Sequence, residues 1–472
     1  MKKIDITKFL ILILLTLSGY LFLKYLGQTP LTSWDEAWYA EIARNILKTG
    51  GWFLLKWNGL PYFDHPPLGF WLMAISFKFI GVSELAARLP SAITGILSVL
   101  LVYALGKKLF AEKVGFLAGI ILTTMPWFWL RSRQGNLDII LTFFMLLTIW
   151  LALKVKENFR WLPLLAISFG FALLTKTIIA IGLLPVIFLT IYKPKKEISI
   201  FYLLSSTFCF LIILTPWYLI NYQTYGFNFL DRNIFVTGLK LPGAGALLSK
   251  STLSSFNFQN SFRQIQNGIS LWYKPYLVAF FFGLIFLPGR SFQVLYLWLG
   301  IYLLLFSTSL KAELWHFIIL YPAISLLISA FLFKVSEKLA RKLSLFNFFF
   351  LLVSVFIFWN SYRIIHGLYK DIVKNQPINE EVTLSQLAGQ NQGTIFIDDD
   401  YWPAAVFYSQ RKVYSLPHST DTQIKTVKQL FLVNSHPFQL LTKQWILNRD
   451  QIDPKKYEVL KQIGDRVLIK SR

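Results

Sequence analysis

The sequence predicts an all-α membrane protein that crosses the bilayer about eleven to thirteen times and carries a small α/β domain at its C-terminal end. Of its 472 residues, 55% are hydrophobic and 15% are charged, and the mean hydropathy is +0.52. This composition is too apolar for an ordinary soluble domain. Apolar runs recur from residue 9 to residue 363, whereas residues 366–472 mix polar and apolar positions. We therefore expect a membrane domain over 1–365 and a soluble domain over 366–472.

The charge of the chain supports the same class of protein. The formal charge of +23 comes from 47 Lys and Arg against 24 Asp and Glu. In a soluble chain this excess would suggest a nucleic-acid partner. Here much of it lies in short loops between apolar runs, where it anchors the chain against anionic lipid, so we expect no nucleic-acid partner. Cys209, the single cysteine, lies inside an apolar run, and no intramolecular disulfide can form.

Eleven segments are candidate spans, because each approaches the roughly 20 apolar residues that a bilayer requires. The positive-inside rule puts the N-terminus in the cytoplasm, since the basic clusters at 107–108, 154–160, 193–196, 290 and 334–342 then share one side. The first run has no A-x-A-like cleavage site after it, which favours an uncleaved helix over a signal peptide. The spans are 9–26, 85–106, 114–130, 138–153, 161–175, 178–192, 198–220, 274–289, 292–310, 314–333 and 345–363.

The polar sequence is concentrated on the outer face. Segments 27–84, 221–273 and 366–472 are long and outside in this arrangement, whereas the cytoplasmic loops are short. Residues 66–82 could themselves span, but counting them would move Lys107 and Lys108 outside, so we assign them to the outer interface. We expect the protein to act on the outer face of a plasma or inner membrane. In the tail, "GTIFID" and "RKVYSL" predict strands and "WPAAVFYSQ" predicts a helix.

The stretch "TSWDEAWYAEIARN", residues 32–45, contains two adjacent carboxylates in the first outer segment. Ser33 followed by Glu36 is a capping-box pattern, and Gly50 is a plausible helix stop, so we expect a helix over 34–49 in which Glu36 closes the first turn. Asp35 is not needed for the box. Set among aromatic residues at the membrane surface, it is our candidate general base. The alternative is a surface Asp that favours the helix dipole.

Two further stretches bring carboxylates together with basic residues. In "YFDHPPL", Asp64 and His65 precede paired prolines and could bind phosphate or a metal, although an ordinary polar turn would look the same. In "RSRQGNLDIILTFF", Asn136 is expected to cap the next helix, with Asp138 in its first turn. Five basic residues fall on the same side and suit an anionic, phosphate-bearing substrate. They are Arg131, Arg133, Lys176, Lys311 and His316.

These segments, in this order, resemble the GT-C glycosyltransferases of the protein O-mannosyltransferase and lipid A aminoarabinose transferase superfamily. The similarity is carried by "DEAWYAEIARNILKTGGWFLLKWNGLPYFDHPPLGFWL", "ARLPSAITGILSVLLVYALGKKLF", "NLDIILTFF", "ALLTK" and "WHFIILYPA". It covers residues 30–180 well and the rest mainly through architecture. The resemblance implies a GT-C fold and transfer of a sugar from a polyprenyl-phosphate carrier to an acceptor on the outer face, with inversion at the anomeric carbon.

The resemblance also assigns roles to residues. Asp35 resembles the catalytic Asp of the first loop, and Asp138 resembles a second Asp near the active site, so we expect both to be catalytic residues. Asp64 and His65 stand where aminoarabinose transferases carry Glu-Lys, a departure that leaves the sugar and the acceptor open. Thr177 likewise replaces the Gly that follows Lys176 in many relatives. The substrate-binding residues we expect are Glu36, Tyr39, Arg44, Tyr62, Asp64, His65, Arg131, Arg133, Lys176, Lys311 and His316.

Three alternatives remain at this stage. A transporter for a lipid-linked sugar would place ionisable residues near the bilayer midplane and show paired repeats, whereas this chain keeps most charges at helix ends. The run Asp398 to Asp400 could be a metal-binding Asp-x-Asp, although a polar turn after a strand explains it equally. A non-catalytic scaffold would leave the outer carboxylates without a role. We expect no obligatory cofactor, leave open a divalent metal at Asp64 and His65, and leave open whether the acceptor is a lipid, a protein or a glycan.

Overall fold

The computed structural model describes residues 6–192, 198–238, 263, 267, 274–287, 289–307, 314–343, 346–370, 380–399, 401–418 and 422–472. Much of the predicted outer segment 221–273 and Asp400 therefore lie outside the described residues. The first ten helices follow one another up to residue 191. They are α1 (Ile6–Leu23), α2 (Asp35–Thr49), α3 (Leu68–Ile80), α4 (Glu84–Leu109), α5 (Glu112–Thr123), α6 (Pro126–Ser132), α7 (Asp138–Glu157), α8 (Leu162–Leu173), α9 (Thr177–Ile181) and α10 (Leu184–Ile191).

The middle of the chain is also helical. A π-helix covers Asp231–Gly238, and 3-10 helices cover Phe159–Trp161 and Leu314–Leu320. The α-helices of this part are α11 (Ile200–Tyr225), α12 (Phe227–Leu230), α13 (Lys274–Phe286), α14 (Arg290–Ser307), α15 (Tyr321–Leu343) and α16 (Phe346–Tyr369).

All eleven predicted spans coincide with helical segments. Among the described residues, five helices are long and apolar enough to cross a membrane, or six if the bent pair α5–α6 forms one span. Three other predicted spans correspond to shorter apolar helices, over 159–173, 177–191 and 292–306. The number of crossings therefore stays a prediction. Helix α3, assigned to the outer interface, has 13 residues, which gives about 20 Å of helix against a hydrocarbon core of about 30 Å.

The bend between α5 and α6 shapes the region that follows it. The two helices differ in direction by 68°, and Pro126 is the first residue of α6. Proline has no N–H to donate to the preceding turn, and its ring clashes with it, so a helix that meets Pro126 restarts rather than continues. The predicted span 114–130 is thus a broken helix, whose second part carries the chain into the loop before α7.

Helices α4 and α5 cross closely because glycines face each other. A Cβ added to Gly106 would lie 2.5 Å from the Cα of Gly115, and one added to Gly115 would collide with the carbonyl of Tyr103. Only the hydrogen of a glycine fits at such a backbone approach, which is how helices in membranes commonly pack. The crossing is therefore specified by these two positions.

The chain falls into two compact units. One contains residues 1–26, 63–69 and 88–369, and the other contains residues 27–62, 70–87 and 370–472. The second unit therefore joins most of the first outer segment to the tail. The predicted boundary between residues 365 and 366 stays a prediction, because this division does not decide where an independently folding domain begins.

The tail contains a five-stranded sheet, and its helices are α17 (Glu380–Gln390), α18 (Trp402–Ser409), α19 (Val427–Val433) and α20 (Gln444–Arg449). A two-residue hairpin, β1 (Lys56–Trp57) and β2 (Leu60–Pro61), lies in the first outer segment. The sheet has the order β4-β3-β5-β7-β6; β4 and β5 pair parallel to β3, and β7 pairs antiparallel to β5 and β6. The strands are β3 (Thr394–Ile397), β4 (Val413–Ser415), β5 (Phe438–Lys443), β6 (Tyr457–Ile463) and β7 (Arg466–Ser471).

The predicted tail elements are confirmed. Strands β3 and β4 lie within the two predicted strands, and α18 lies within the predicted helix. A buried apolar cluster, including Phe396, Leu430, Phe438 and Val467, packs the sheet against α19. The expectation of a mainly helical protein with a small C-terminal α/β region is therefore correct.

Hydrogen bonds join the first outer segment to the tail within the second unit. Arg44 Nη1 donates to the carbonyl of Phe407 at 2.8 Å, and Leu31 N–H donates to the hydroxyl of Tyr408 at 2.7 Å. The side chain of Asn58, in the β1–β2 turn, exchanges two hydrogen bonds with the backbone of Val413. This pairing extends the edge of β4, so α2 and the hairpin are held by the tail.

Candidate functional site

A buried carboxylate binds two cations where the chain enters α7. Asp138 is the first residue of this helix. Its Oδ2 accepts from Arg131 Nη2 at 2.7 Å, and its Oδ1 accepts from Lys176 Nζ at 2.5 Å. All three side chains are at most 10% exposed. Because both carboxylate oxygens are engaged by cations, Asp138 is poorly placed to remove a proton and well placed to hold the two cations.

Asn136 fixes the turn that brings Arg131 back to Asp138. Its Oδ1 accepts from the backbone N–H groups of Asp138 and Ile139 at 3.0 and 3.1 Å, which satisfies two donors that a helix start leaves open. Its Nδ2 donates to the carbonyl of Arg131 at 2.5 Å, and Ser91 Oγ donates to the backbone carbonyl of Asn136 at 3.0 Å. The expectation that Asn136 caps this helix is confirmed.

His316 is the third basic residue near this carboxylate. It lies in the 3-10 helix Leu314–Leu320 and interacts electrostatically with Asp138. Lys311, expected at the same place, lies outside the described residues. One carboxylate against two cations leaves an excess of positive charge, which suits a phosphate group.

Arg133 lies elsewhere in the same unit. Its Nη1 donates to the carbonyls of Leu21 and Phe22 at 3.0 and 3.2 Å, and its guanidinium lies over the ring of Trp129 at 5.3 Å. Arg133 therefore ties the end of α1 to α6. The structure does not bring it together with Arg131, and its expected role in substrate binding stays a prediction.

Asp64 pairs with a residue that the sequence reading missed. Arg232 Nε donates to Asp64 Oδ1 at 2.6 Å, and the neighbouring Asn233 donates from Nδ2 to the carbonyl of Phe63 at 2.7 Å. The segment carrying Asp64 and His65 is thus held by the π-helix Asp231–Gly238. Among the described residues, no group of three or more His, Cys, Asp or Glu side chains could hold a metal ion, so a metal at Asp64 and His65 gains no support.

The start of α2 corrects the expected capping box. The helix begins at Asp35, and the residue before it is Trp34, which makes no capping side-chain bond. Glu36, fully buried, accepts from the backbone N–H and the hydroxyl of Thr32 at 2.9 and 3.0 Å. Ser33 is therefore not the N-cap. In a capping box the Glu36 carboxylate would accept from Ser33, whereas here it accepts from Thr32, one residue earlier. The predicted end is correct, since Gly50 closes the helix with φ of 70°.

Aromatic rings surround the residue before Asp35. Trp34 has φ of 65°, a left-handed conformation that is strained for a bulky residue. Its ring lies 5.7 Å from that of Trp38 and 5.4 Å from that of His418. Trp38 in turn stacks on Trp57 at 4.3 Å. Asp35, half-buried, is thus set beside a fixed aromatic cluster, as the sequence predicted.

The other expected binding residues of α2 and its hairpin are largely packed. Tyr39 and Tyr62 are each 7% exposed, and both rings pack edge-on against Phe70 at 5.4 and 5.6 Å. Arg44 is 4% exposed, forms an ion pair with Glu41 and lies over the ring of Phe407. Arg44 therefore stabilises the packing of α2 on the tail, and its role in substrate binding stays a prediction.

His418 and Arg232 were both missed by the sequence reading. His418 follows Pro417 in a polar turn of the tail, and Arg232 follows the short helix α12. Neither position has a local pattern that points to a site. Each acquires its neighbour through contacts across more than 150 residues of chain.

Comparison with known proteins finds one family and several related folds. The family described as dolichyl-phosphate-mannose-protein mannosyltransferase matches residues 64–219. An uncharacterized protein of Aquifex aeolicus is 26% identical over 72% of this chain and 66% of its own length. The undecaprenyl phosphate-alpha-4-amino-4-deoxy-L-arabinose arabinosyl transferase of Aeromonas salmonicida is 31% identical over 36% of this chain and 32% of its own length. The match thus spans about a third of that arabinosyl transferase.

The solved structures extend the similarity to the whole fold. ArnT of Cupriavidus metallidurans bound to undecaprenyl phosphate matches with a TM-score of 0.75 and 15% identity, over 98% of this chain and 97% of ArnT. The apo oligosaccharyltransferase of Archaeoglobus fulgidus matches with a TM-score of 0.56 and 14% identity, over 93% of this chain and 70% of that protein. The chain is a multi-pass membrane protein. It has the GT-C fold that ArnT and the oligosaccharyltransferase share, and its residues 64–219 match the mannosyltransferase family.

Proposed function

We propose that this chain is a membrane glycosyltransferase that moves a sugar from a polyprenyl-phosphate carrier to a lipid, protein or glycan acceptor on the outer membrane face. The observation that carries the proposal is the buried group of Arg131, Asp138 and Lys176. It fixes two cations on one carboxylate, and it lies in the stretch that matches the mannosyltransferase family.

The charge of this group suits the departure of a phosphate. A polyprenyl-phosphate sugar is a phosphodiester with one negative charge, whereas the polyprenyl phosphate that leaves carries up to two. Cations held in place by Asp138 therefore stabilise the leaving group more than the bound donor, which is the differential binding that accelerates a reaction. In this proposal Asp138 is a positioning residue, and Arg131 and Lys176 are the groups that contact the phosphate.

Asp35 is proposed as the general base. In a single displacement, the acceptor oxygen forms a bond to the anomeric carbon as the bond from that carbon to the phosphate oxygen breaks. The acceptor proton passes to the Asp35 carboxylate, and the bonding electron pair leaves with the phosphate, which inverts the anomeric centre. No covalent glycosyl-enzyme is needed.

The relatives support a polyprenyl-phosphate donor. Several matching sequences are named undecaprenyl phosphate-dependent arabinosyl transferases, and the ArnT structure is of the protein bound to undecaprenyl phosphate. The N-terminus in the cytoplasm and an inner or plasma membrane location are part of the proposal, as they follow from the distribution of Lys and Arg.

The test uses proteoliposomes that contain the full chain. Radiolabelled polyprenyl-phosphate sugars are supplied with membrane extract as the acceptor source, and label is followed into lipid, protein and glycan fractions. Asp35→Asn is expected to lower transfer by about 10²-fold or more, the usual contribution of a general base. The matched control is Asp465→Asn, which changes an exposed turn carboxylate of the tail and should transfer as the wild type does.

Two outcomes contradict the proposal. Unchanged transfer by Asp35→Asn would remove Asp35 as the base. Movement of donor across the bilayer without transfer, in the wild type and both variants, would favour a transporter of lipid-linked sugar.

A further inference from the structure

A polar cleft lies wholly within the second unit, on α2, α17 and α18. Its volume is about 940 Å³, which is at the upper end of the range for small-molecule sites. The last turns of α2, the segment before α4, α17 and the end of α18 form its walls. A cleft of this size holds several sugar units rather than a single small ion.

The cleft is separate from Asp35. Arg44, in its wall, follows Asp35 by about two and a half helical turns, so the two side chains leave α2 on opposite sides. Lys48, at the end of α2, lies roughly 20 Å along the helix from Asp35 at 1.5 Å per residue. Whatever occupies this cleft therefore does not reach Asp35 from the same side of the helix.

Side-chain amides without partners dominate the rim. Gln386, Gln390 and Gln410 are exposed and line the cleft, and none makes a side-chain hydrogen bond within the part of the chain that the structure describes. An amide presents a donor and an acceptor side by side. This pair complements neighbouring hydroxyls, which also donate and accept, so the rim suits a polyhydroxylated ligand.

Besides Arg44, which is paired with Glu41, two basic side chains in the lining make the cleft positive. Lys48 is exposed, interacts electrostatically with Glu41, and makes no hydrogen bond or ion pair within the described residues. Arg411 donates to the backbone carbonyls of Asn391 and Gly393 and has no carboxylate partner among the described residues. Among the described residues that line the cleft, Glu84 is the one carboxylate, and it accepts from the hydroxyl of Tyr408 at 3.0 Å. The charge that remains is positive.

The walls are fixed by close backbone packing. A Cβ added to Gly389 in α17 would collide with the carbonyl of Ser409 at the end of α18. Gln410 then ends α18 in a left-handed conformation, with φ of 56°. Arg411 closes the end of α17 through its carbonyl bonds. The cleft is therefore preformed, which lowers the ordering cost of binding.

We propose that this cleft binds an anionic oligosaccharide, through Lys48 and Arg411 for the acidic groups and the three glutamines for the hydroxyls. The site is distinct from the proposed transfer chemistry, and its test requires no sugar donor, so either proposal can fail without the other.

Binding is measured by titration calorimetry on the full chain in detergent. The probes are tetragalacturonic acid and pentamannosyl phosphate, with maltotetraose as the neutral comparison. The variants are Lys48→Ala and the pair Gln386→Ala with Gln390→Ala, all at exposed positions. Arg411 is left unchanged, because its removal would also leave backbone carbonyls without donors. Lys428→Ala and Gln423→Ala, exposed positions of the tail outside the cleft, are the matched controls.

We expect at least one acidic probe to bind the wild type and both controls equally, and to bind each cleft variant about tenfold more weakly, the effect of losing hydrogen bonds to charged groups. Affinity should fall as salt is raised. Equal affinity of wild type and both cleft variants, no binding of either acid, or maltotetraose bound as tightly as the acids would each overturn the proposal. Unfolding midpoints of all variants, compared with the wild type, show that a lost affinity is not lost folding.

Discussion

Replacing Asp138 with Asn is the sharpest perturbation that the structure offers. The amide keeps the shape of the side chain but removes the charge that joins Arg131 and Lys176, which contact its two oxygens at 2.7 and 2.5 Å. The two cations, each within 3 Å of one carboxylate oxygen, then repel each other; unit charges about 6 Å apart repel by about 3 kcal/mol at an effective dielectric of 20. Breaking one buried ion pair typically costs about 3–5 kcal/mol. We therefore expect Asp138→Asn to destabilise the protein by about 3–5 kcal/mol.

A double-mutant cycle separates this repulsion from a loss of packing. Lys176→Met removes one of the two cations, so the double variant with Asp138→Asn should be more stable than Asp138→Asn alone. The expected coupling energy is about 2–3 kcal/mol, within the range for groups in one network. Denaturant unfolding in detergent measures it, with midpoints compared at a single rate because large membrane proteins often unfold irreversibly. Additive losses, or an Asp138→Asn variant as stable as Asp465→Asn, would refute the reasoning.

Three further changes test the packing and the charges. Tyr408→Phe leaves the buried N–H of Leu31 without its acceptor. We therefore expect the free energy of unfolding, measured with denaturant, to fall by about 1–3 kcal/mol. An unchanged unfolding midpoint would mean that water replaces the hydroxyl. Burial raises the pKa of Asp398 to about 6, and its unfolded pKa is near 3.9. The folded chain then keeps a proton that the unfolded chain has lost, so stability should fall as pH rises from about 4 to 6. Asp398→Asn should remove that part of the slope, and an unaltered pH profile would contradict the assignment. Gly115→Ala inserts a methyl group into the crossing of α4 and α5 and should lower the thermal unfolding midpoint. The control is Gly19→Ala, whose added methyl group meets no atom within 4 Å and should be neutral or stabilising by up to about 1 kcal/mol. Equal unfolding midpoints for the two variants would contradict the close crossing.

The helical spans could be predicted because their signal is local. Each apolar run predicts its own helix, and the break at Pro126 is the clearest departure. Proline alone does not decide such a break, because Pro90 and Pro216 lie inside the continuous helices α4 and α11. The hairpin β6–β7 was missed although its signal is present: two alternating runs flank Gly464 and Asp465, a two-residue turn in which Gly464 has φ of 60°.

The basic residues around Asp138 were predicted in part. Arg131 was expected beside Asp138, and Lys176 and His316 only on the same face; the structure brings all three to Asp138. Arg133 was grouped with Arg131 on sequence proximity, but α6 ends between them and directs Arg133 to the end of α1. Which side chain of a short broken helix faces a given carboxylate depends on the bend, and the bend angle cannot be read from composition.

The contacts of α2 with the tail explain what a single sequence could not show about Asp35. A positive φ at Trp34 costs about 1–3 kcal/mol and persists only when surrounding structure fixes it. Here the Trp34 ring packs against Trp38 and against His418 of the tail, and Arg44 further along α2 donates to the tail backbone. The start of α2, where Asp35 lies, is therefore held by residues more than 360 positions later in the chain. The tail supports the segment that carries this carboxylate, and changes at His418 should loosen that segment with the outer loop itself unchanged.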